Sequence, residues 1–164
     1  MKVVTFNIRC DYGQDGLNEF ANRKELILRK INQEKPDIIG FQEVLPHVAK
    51  WLKENLNEYY VIGCGRGANL RDEQMSIAYR RDRINLISMK TWWLSQTPDV
   101  PGSRYEEQSS CPRTATEAVF EDIKNDKVFR FINTHLDHIG AQAREKGLLS
   151  LIHISEPTRL RCIS

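Results

Sequence analysis

Residues 128–138 read VFRFINTHLDH. The first half is β-branched and aromatic, which predicts a strand. Carried through residue 137, strand alternation puts His135 and Asp137 on one face and His138 on the other. A helix would instead bring His135 and His138 together as i, i+3 neighbours, the spacing of a zinc pair. The run before them favours the strand and so disfavours zinc. It pairs His135 with Asp137, or with a carboxylate from another strand. A carboxylate beside an imidazole favours its protonated form, which suits phosphate binding or general-acid work.

This strand is the last in a series. Upstream, residues 83–94, 115–123, 75–81 and 59–65 also read as strands, separated by turn-rich segments such as GRGANLRDE (65–73) and KNDK (124–127). Before residue 58 the pattern alternates. KVVTFNIR (2–9) has the period of a strand, and residues 22–35 form a helix with Asn22 and Glu25 set like a capping box and Pro36 as its stop. DIIGFQEV (37–44) is the apolar run of a strand covered on both faces, and Pro46 opens a helix over 46–56. A last helix is predicted over 140–152. The order β-α-β-α, then several strands, then α, predicts an α+β (α/β) sandwich of mixed, mainly antiparallel sheets flanked by helices.

The chain has 164 residues and a net charge of +2, enough for one core and too little charge to argue for nucleic acid. The four cysteines have no C-x-x-C spacing, so they read as buried or free thiols. No apolar run has the length of a membrane span, and the N-terminus lacks a signal-peptide pattern, so a cytoplasmic protein with no obligate partner is the default expectation. The loop 95–113 is long enough to be functional and is expected to overhang a site like a lid.

Three strands end in polar residues where the apolar pattern would have continued: Asn7 and Arg9, Gln42 and Glu43, then Asn133, His135, Asp137 and His138. Each alone can be a strand meeting water. Together they can form one site, since ligands of open sheets bind at the carboxyl ends of strands. Glu43 and Asn7 offer hard oxygen ligands. One carboxylate with neutral oxygens and waters is how Mg²⁺ is held, with substrate phosphate completing the shell.

TFNIR (5–9), PDIIGFQEV (36–44), CPRTAT (111–116) and NTHLDH (133–138), in that order, resemble the endonuclease/exonuclease/phosphatase family of metal-dependent phosphoesterases. The resemblance runs over about residues 2–148 and implies a deoxyribonuclease-I-like fold with Mg²⁺ or Mn²⁺ as cofactor. It implies Glu43 and Asn7 at the metal, His135 at the scissile phosphate, Glu73 orienting that histidine, and Arg113 with Asn133 at the substrate phosphate. Asp137 joins His135 among the catalytic candidates. Glu73 also reads as a solvated loop carboxylate and Arg113 as a surface arginine. The substrate is a phosphate ester of open class: sugar phosphate, nucleotide, lipid headgroup or RNA.

The family's second half carries GDFN, which helps hold substrate and nucleophile, then a further aspartate and a closing SDH, which supply the water-activating aspartate–histidine pair, and none of these occurs here. Residues 1–150 therefore read as the N-terminal part of the domain, with the second half incomplete, and 151–164 as a non-native tail. A truncated, nearly inactive phosphoesterase is expected. The alternative is a short form that binds a phosphate ligand or a protein partner without catalysis.

Overall fold

The computed structural model describes residues 1–155; of the expected tail 151–164, residues 151–155 instead continue the last helix, and the rest, with Pro157 and Cys162, lies outside the described residues. The elements are β1 (Val3–Asn7), α1 (Phe20–Glu34), β2 (Ile38–Gln42), α2 (Pro46–Asn55), β3 (Tyr59–Ile62), β4 (Ile77–Arg80), β5 (Ile84–Trp93), β6 (Thr114–Asp122), β7 (Lys127–Thr134) and α3 (Ala141–Ser155). They form the expected sandwich. One sheet has the order β1-β2-β4-β3, with β1 and β2 parallel and the other pairs antiparallel; the second is the antiparallel sheet β5-β6-β7.

Burial explains the layers. All five residues of β2 are buried, because helices cover one face and the second sheet the other. On the helix side, Ile39 and Phe41 pack with Phe20, Ile27 and Ile31 of α1 and Val48 and Leu52 of α2. On the other side, Ile38, Ile77 and Tyr79 meet Ala118 and Phe120 of β6, with Phe129 and Phe131 of β7 packed against them. The Tyr79 and Phe120 rings lie 4.9 Å apart between the sheets.

Two local expectations are corrected. Asn22 lies inside α1, which starts at Phe20 with no side-chain cap. Phe20 is buried edge-on against Trp51 at 5.1 Å, so tertiary packing sets that end. Strand β7 stops at Thr134, three residues earlier than alternation predicts. Asp137 accepts the backbone N–H of Ile139 at 3.0 Å and of Gly140 at 2.7 Å. That turns the chain into α3 and ends the strand periodicity.

Loop 95–113 is anchored rather than free-standing. Tyr105 Oη and Ser150 Oγ lie 2.8 Å apart, and Gln108 Nε2 donates to Cys111 O at 2.6 Å. Among the described residues no helix is long and apolar enough to cross a membrane.

Candidate active site

Parallel pairing sets Asn7 beside Gln42, so β1 and β2 end together. Just past those ends, Arg9 (φ 61°) and Glu43 (φ 63°) adopt left-handed conformations that side-chain-bearing residues rarely take. Such departures gather where function dictates the side chain's direction. Glu43 accepts from Asn7 Nδ2 at 2.7 Å and from the Cys10 backbone N–H at 2.8 Å. Burial works against its charge, yet these two hydrogen bonds, with His135 and Arg9 nearby, hold its carboxyl below the usual range.

Glu43 opens on a cleft of about 340 Å³ lined by Cys10, Tyr12, Arg66, Glu73, Cys111, Arg113, His135 and His138. Three separate chain ends thus meet: Glu43 after β2, Arg113 before β6, and His135 after β7.

His135 is half-buried, and its Nδ1 is enclosed with no hydrogen-bond partner among the described residues. Burial and then the Arg113 charge push its pKa below 6.5, outweighing the opposite pull of Glu43 and Glu73. The expected protonated imidazole is therefore corrected: in the free cleft it is neutral at neutral pH. Glu73 sits in the same cleft but is held elsewhere. Its Oε1 accepts from Tyr12 Oη at 2.9 Å and its Oε2 pairs with Arg66 at 3.0 Å. It acts on His135 through space, not through a hydrogen bond.

Asp137 does not face His135. It is buried, accepts from the Ser109 hydroxyl and from the Ser109 backbone N–H at 3.2 Å, and pairs with Arg113 Nε at 3.5 Å. Burial opposes its charge, but the Ser109 hydroxyl and the backbone N–H groups of Gly140, Ile139 and Ser109 overcome it and keep the carboxyl far below its usual range. Asp137 holds Arg113 and the turn from behind the cleft wall, and His138 joins His135 in the cleft in its place. Strand alternation assigns these faces the other way round; the early end of β7 reverses them.

Asn133 also moves out of the site. It is buried between the sheets, where its Nδ2 donates to Phe41 O at 2.7 Å and Ser76 O at 2.9 Å. Its Oδ1 accepts from Gln42 Nε2 at 2.7 Å. Both ends of the amide are engaged, so it clamps the sheets instead of reaching a ligand. Gly40 makes room for it: a Cβ there would stand 2.8 Å from Asn133 Oδ1. Asn7 stays beside Glu43: its Oδ1 accepts from the Arg9 backbone N–H at 2.9 Å, which directs Nδ2 toward the carboxylate.

Sequence reading missed two wall residues. Buried Arg66 pairs with Asp72 at 3.1 Å as well as Glu73. Burial disfavours its charge, and the two carboxylates more than restore it. Tyr12 reaches Glu73 from the loop after β1. No local pattern marks either residue, because their partners lie across loops. Burial pushes the Cys10 thiol up to about 12, so it is no nucleophile at neutral pH. Among the described residues no three His, Cys, Asp or Glu side chains gather as a metal cage.

Comparison with known proteins fits this geometry. A structure of an endonuclease/exonuclease/phosphatase from Bacteroides vulgatus is 38% identical with a TM-score of 0.88, over 92% of this chain and 57% of that one. A mannosyl-6-phosphatase from Bacteroides thetaiotaomicron is 31% identical with a TM-score of 0.88, over 99% and 61%. An uncharacterized protein of Acanthamoeba polyphaga mimivirus is 29% identical over 92% of this chain and 59% of its own length. The chain thus spans about three-fifths of the length of these relatives. The model of one family, described as the endonuclease/exonuclease/phosphatase family, matches residues 4–107. On that match and on the sandwich that carries Glu43 and His135 to one cleft, the chain belongs to the endonuclease/exonuclease/phosphatase family, whose members are hydrolases.

Proposed function

We propose that the cleft serves metal-assisted hydrolysis of a phosphate ester, with Glu43 as the protein ligand of Mg²⁺ or Mn²⁺. The convergence of Glu43, His135 and Arg113 on one cleft carries this reading. The donor set fits: a carboxylate held ionised, with one hydrogen bond on each oxygen, leaves lone pairs for a hard cation that keeps most of its waters. When bound, such a cation lowers the pKa of a coordinated water and neutralises phosphoryl charge.

The chain's own residues do the rest. Asn7 and the Cys10 N–H fix the carboxylate. Arg113 supplies a fixed positive charge for non-bridging oxygens. His135, neutral in the free cleft, takes up a proton more readily once a phosphate is beside it and can pass it to a leaving oxygen. A sugar phosphomonoester is the first substrate class to screen, since one relative at 31% identity is a mannosyl-6-phosphatase. Phosphodiesters follow.

Turnover is proposed for a domain of the relatives' length, with this chain supplying the Glu43–His135 half. The three-fifths span favours a second reading for the chain by itself, phosphate binding without turnover. The test is phosphate binding by calorimetry and p-nitrophenyl phosphate and bis-p-nitrophenyl phosphate hydrolysis, each with and without Mg²⁺, for wild type and Glu43→Gln. Mg²⁺-dependent binding that Glu43→Gln abolishes is expected. Hydrolysis or binding that Glu43→Gln leaves unchanged would sink the assignment.

A further inference from the structure

His138 is exposed, lines the cleft and stands at the apex of the turn that Asp137 builds. Its Nδ1 lies 2.8 Å from Arg113 Nη2. Arginine has only donors and keeps its proton at any physiological pH. The nitrogen it meets must therefore offer a lone pair. In that contact Nδ1 is the acceptor and the donor nitrogen of His138 is Nε2, across the ring from Arg113.

Arg113 has little freedom to do otherwise. It is buried, its Nε pairs with Asp137 at 3.5 Å, and Asp137 is itself held by Ser109 and the N–H groups of the turn. Asp137, Arg113 and His138 form a chain in which each member orients the next. Its outcome is one N–H donor of fixed tautomer at the cleft wall, beside the guanidinium edge that Asp137 leaves open.

We propose that His138 Nε2–H is a ligand-contacting donor that, with Arg113, clamps a phosphoryl oxygen in the cleft. Asp137 is the positioning residue behind both. This rests on the phosphate-ester function proposed above. It differs from the part played by His135: His138 contributes a hydrogen bond to the ligand and passes no proton to the leaving oxygen.

The chain as it stands supports the test. Imidazole ¹⁵N spectra of residues 1–164 should give His138 a pyridine-type Nδ1 and a protonated Nε2. Calorimetry with inorganic phosphate, in Mg²⁺, then compares wild type with His138→Gln, whose amide N–H₂ can stand near Nε2, and with His138→Phe. Loss of a hydrogen bond to a charged oxygen predicts about tenfold or more weaker binding for His138→Phe. His138→Gln should stay within about threefold of wild type, and amide spectra should show all three chains equally folded. A protonated Nδ1, or phosphate affinity that His138→Phe leaves intact, overturns the proposal while the cleft's function stands. Failure of the folded wild type to bind phosphate overturns the proposal through the function it rests on.

Discussion

Asn133→Asp tests whether the sheets are clamped by a side-chain amide. The exchange keeps shape and volume and changes only what the group can donate. Nδ2, which donates to Phe41 O at 2.7 Å and Ser76 O at 2.9 Å, becomes an oxygen facing two carbonyl oxygens. Two hydrogen bonds worth about 1 kcal/mol each are lost. A buried acceptor left facing acceptors adds about 1–3 kcal/mol, so the loss should total about 3–5 kcal/mol. Protonation would restore one donor, so the folded state binds the proton more tightly than the unfolded chain does. The folded pKa is therefore raised. Stability is lowest above it and partly returns as pH falls toward the unfolded value of about 4. Urea unfolding followed by fluorescence of buried Trp93, near neutral pH and about two units lower, reads both effects. A variant within about 0.5 kcal/mol of wild type at neutral pH, or a deficit that does not shrink on acidification, would refute the clamp. A normally folded variant with weakened phosphate binding would restore the ligand role that the strand-end pattern suggests.

Asp137→Ala should cost about 3–5 kcal/mol in chemical denaturation, because it leaves buried Arg113 without its carboxylate. Asp137 is depressed in the folded state, so its contribution is present above the unfolded pKa of about 3.9 and lost as pH falls below it; wild type and Asp137→Asn should converge in stability there, and parallel pH curves would count against this. His135 should titrate below 6.5 by NMR, Arg113→Gln should raise that midpoint and Glu43→Gln should lower it. Because the unfolded chain takes up this proton first, His135 also makes stability fall as pH drops below 6.5; a wild-type midpoint above that value would contradict the electrostatics described.

Much of the architecture can be read from apolar patterning. The ends of β1 and β2 are legible because the pattern breaks at Asn7 and at Gln42–Glu43, and the unbroken apolar run of β2 announces burial on both faces. The carboxylate of Glu43 follows directly. The other wall does not. Alternation cannot foresee a carboxylate that captures backbone N–H groups and bends the chain, as Asp137 does, so the partners of His135 are misread. Asn133 looks like a strand-end ligand because nothing in its neighbourhood tells of Phe41 and Ser76, which lie 92 and 57 residues away. Arg66 is hidden for the same reason. Motif resemblance puts Glu73 in the correct cleft, but its Tyr12 and Arg66 contacts come from other segments of the fold.

The left-handed backbone at Arg9 and Glu43 bears on redesign of this protein. A side-chain-bearing residue there costs about 1–2 kcal/mol relative to one without a Cβ. A sequence optimised for this backbone alone would place glycine at 9 and 43, and would erase the carboxylate that opens on the cleft. Thermostabilising searches should therefore hold Glu43 fixed, since the substitution that most relieves the chain there also removes the carboxylate from the cleft.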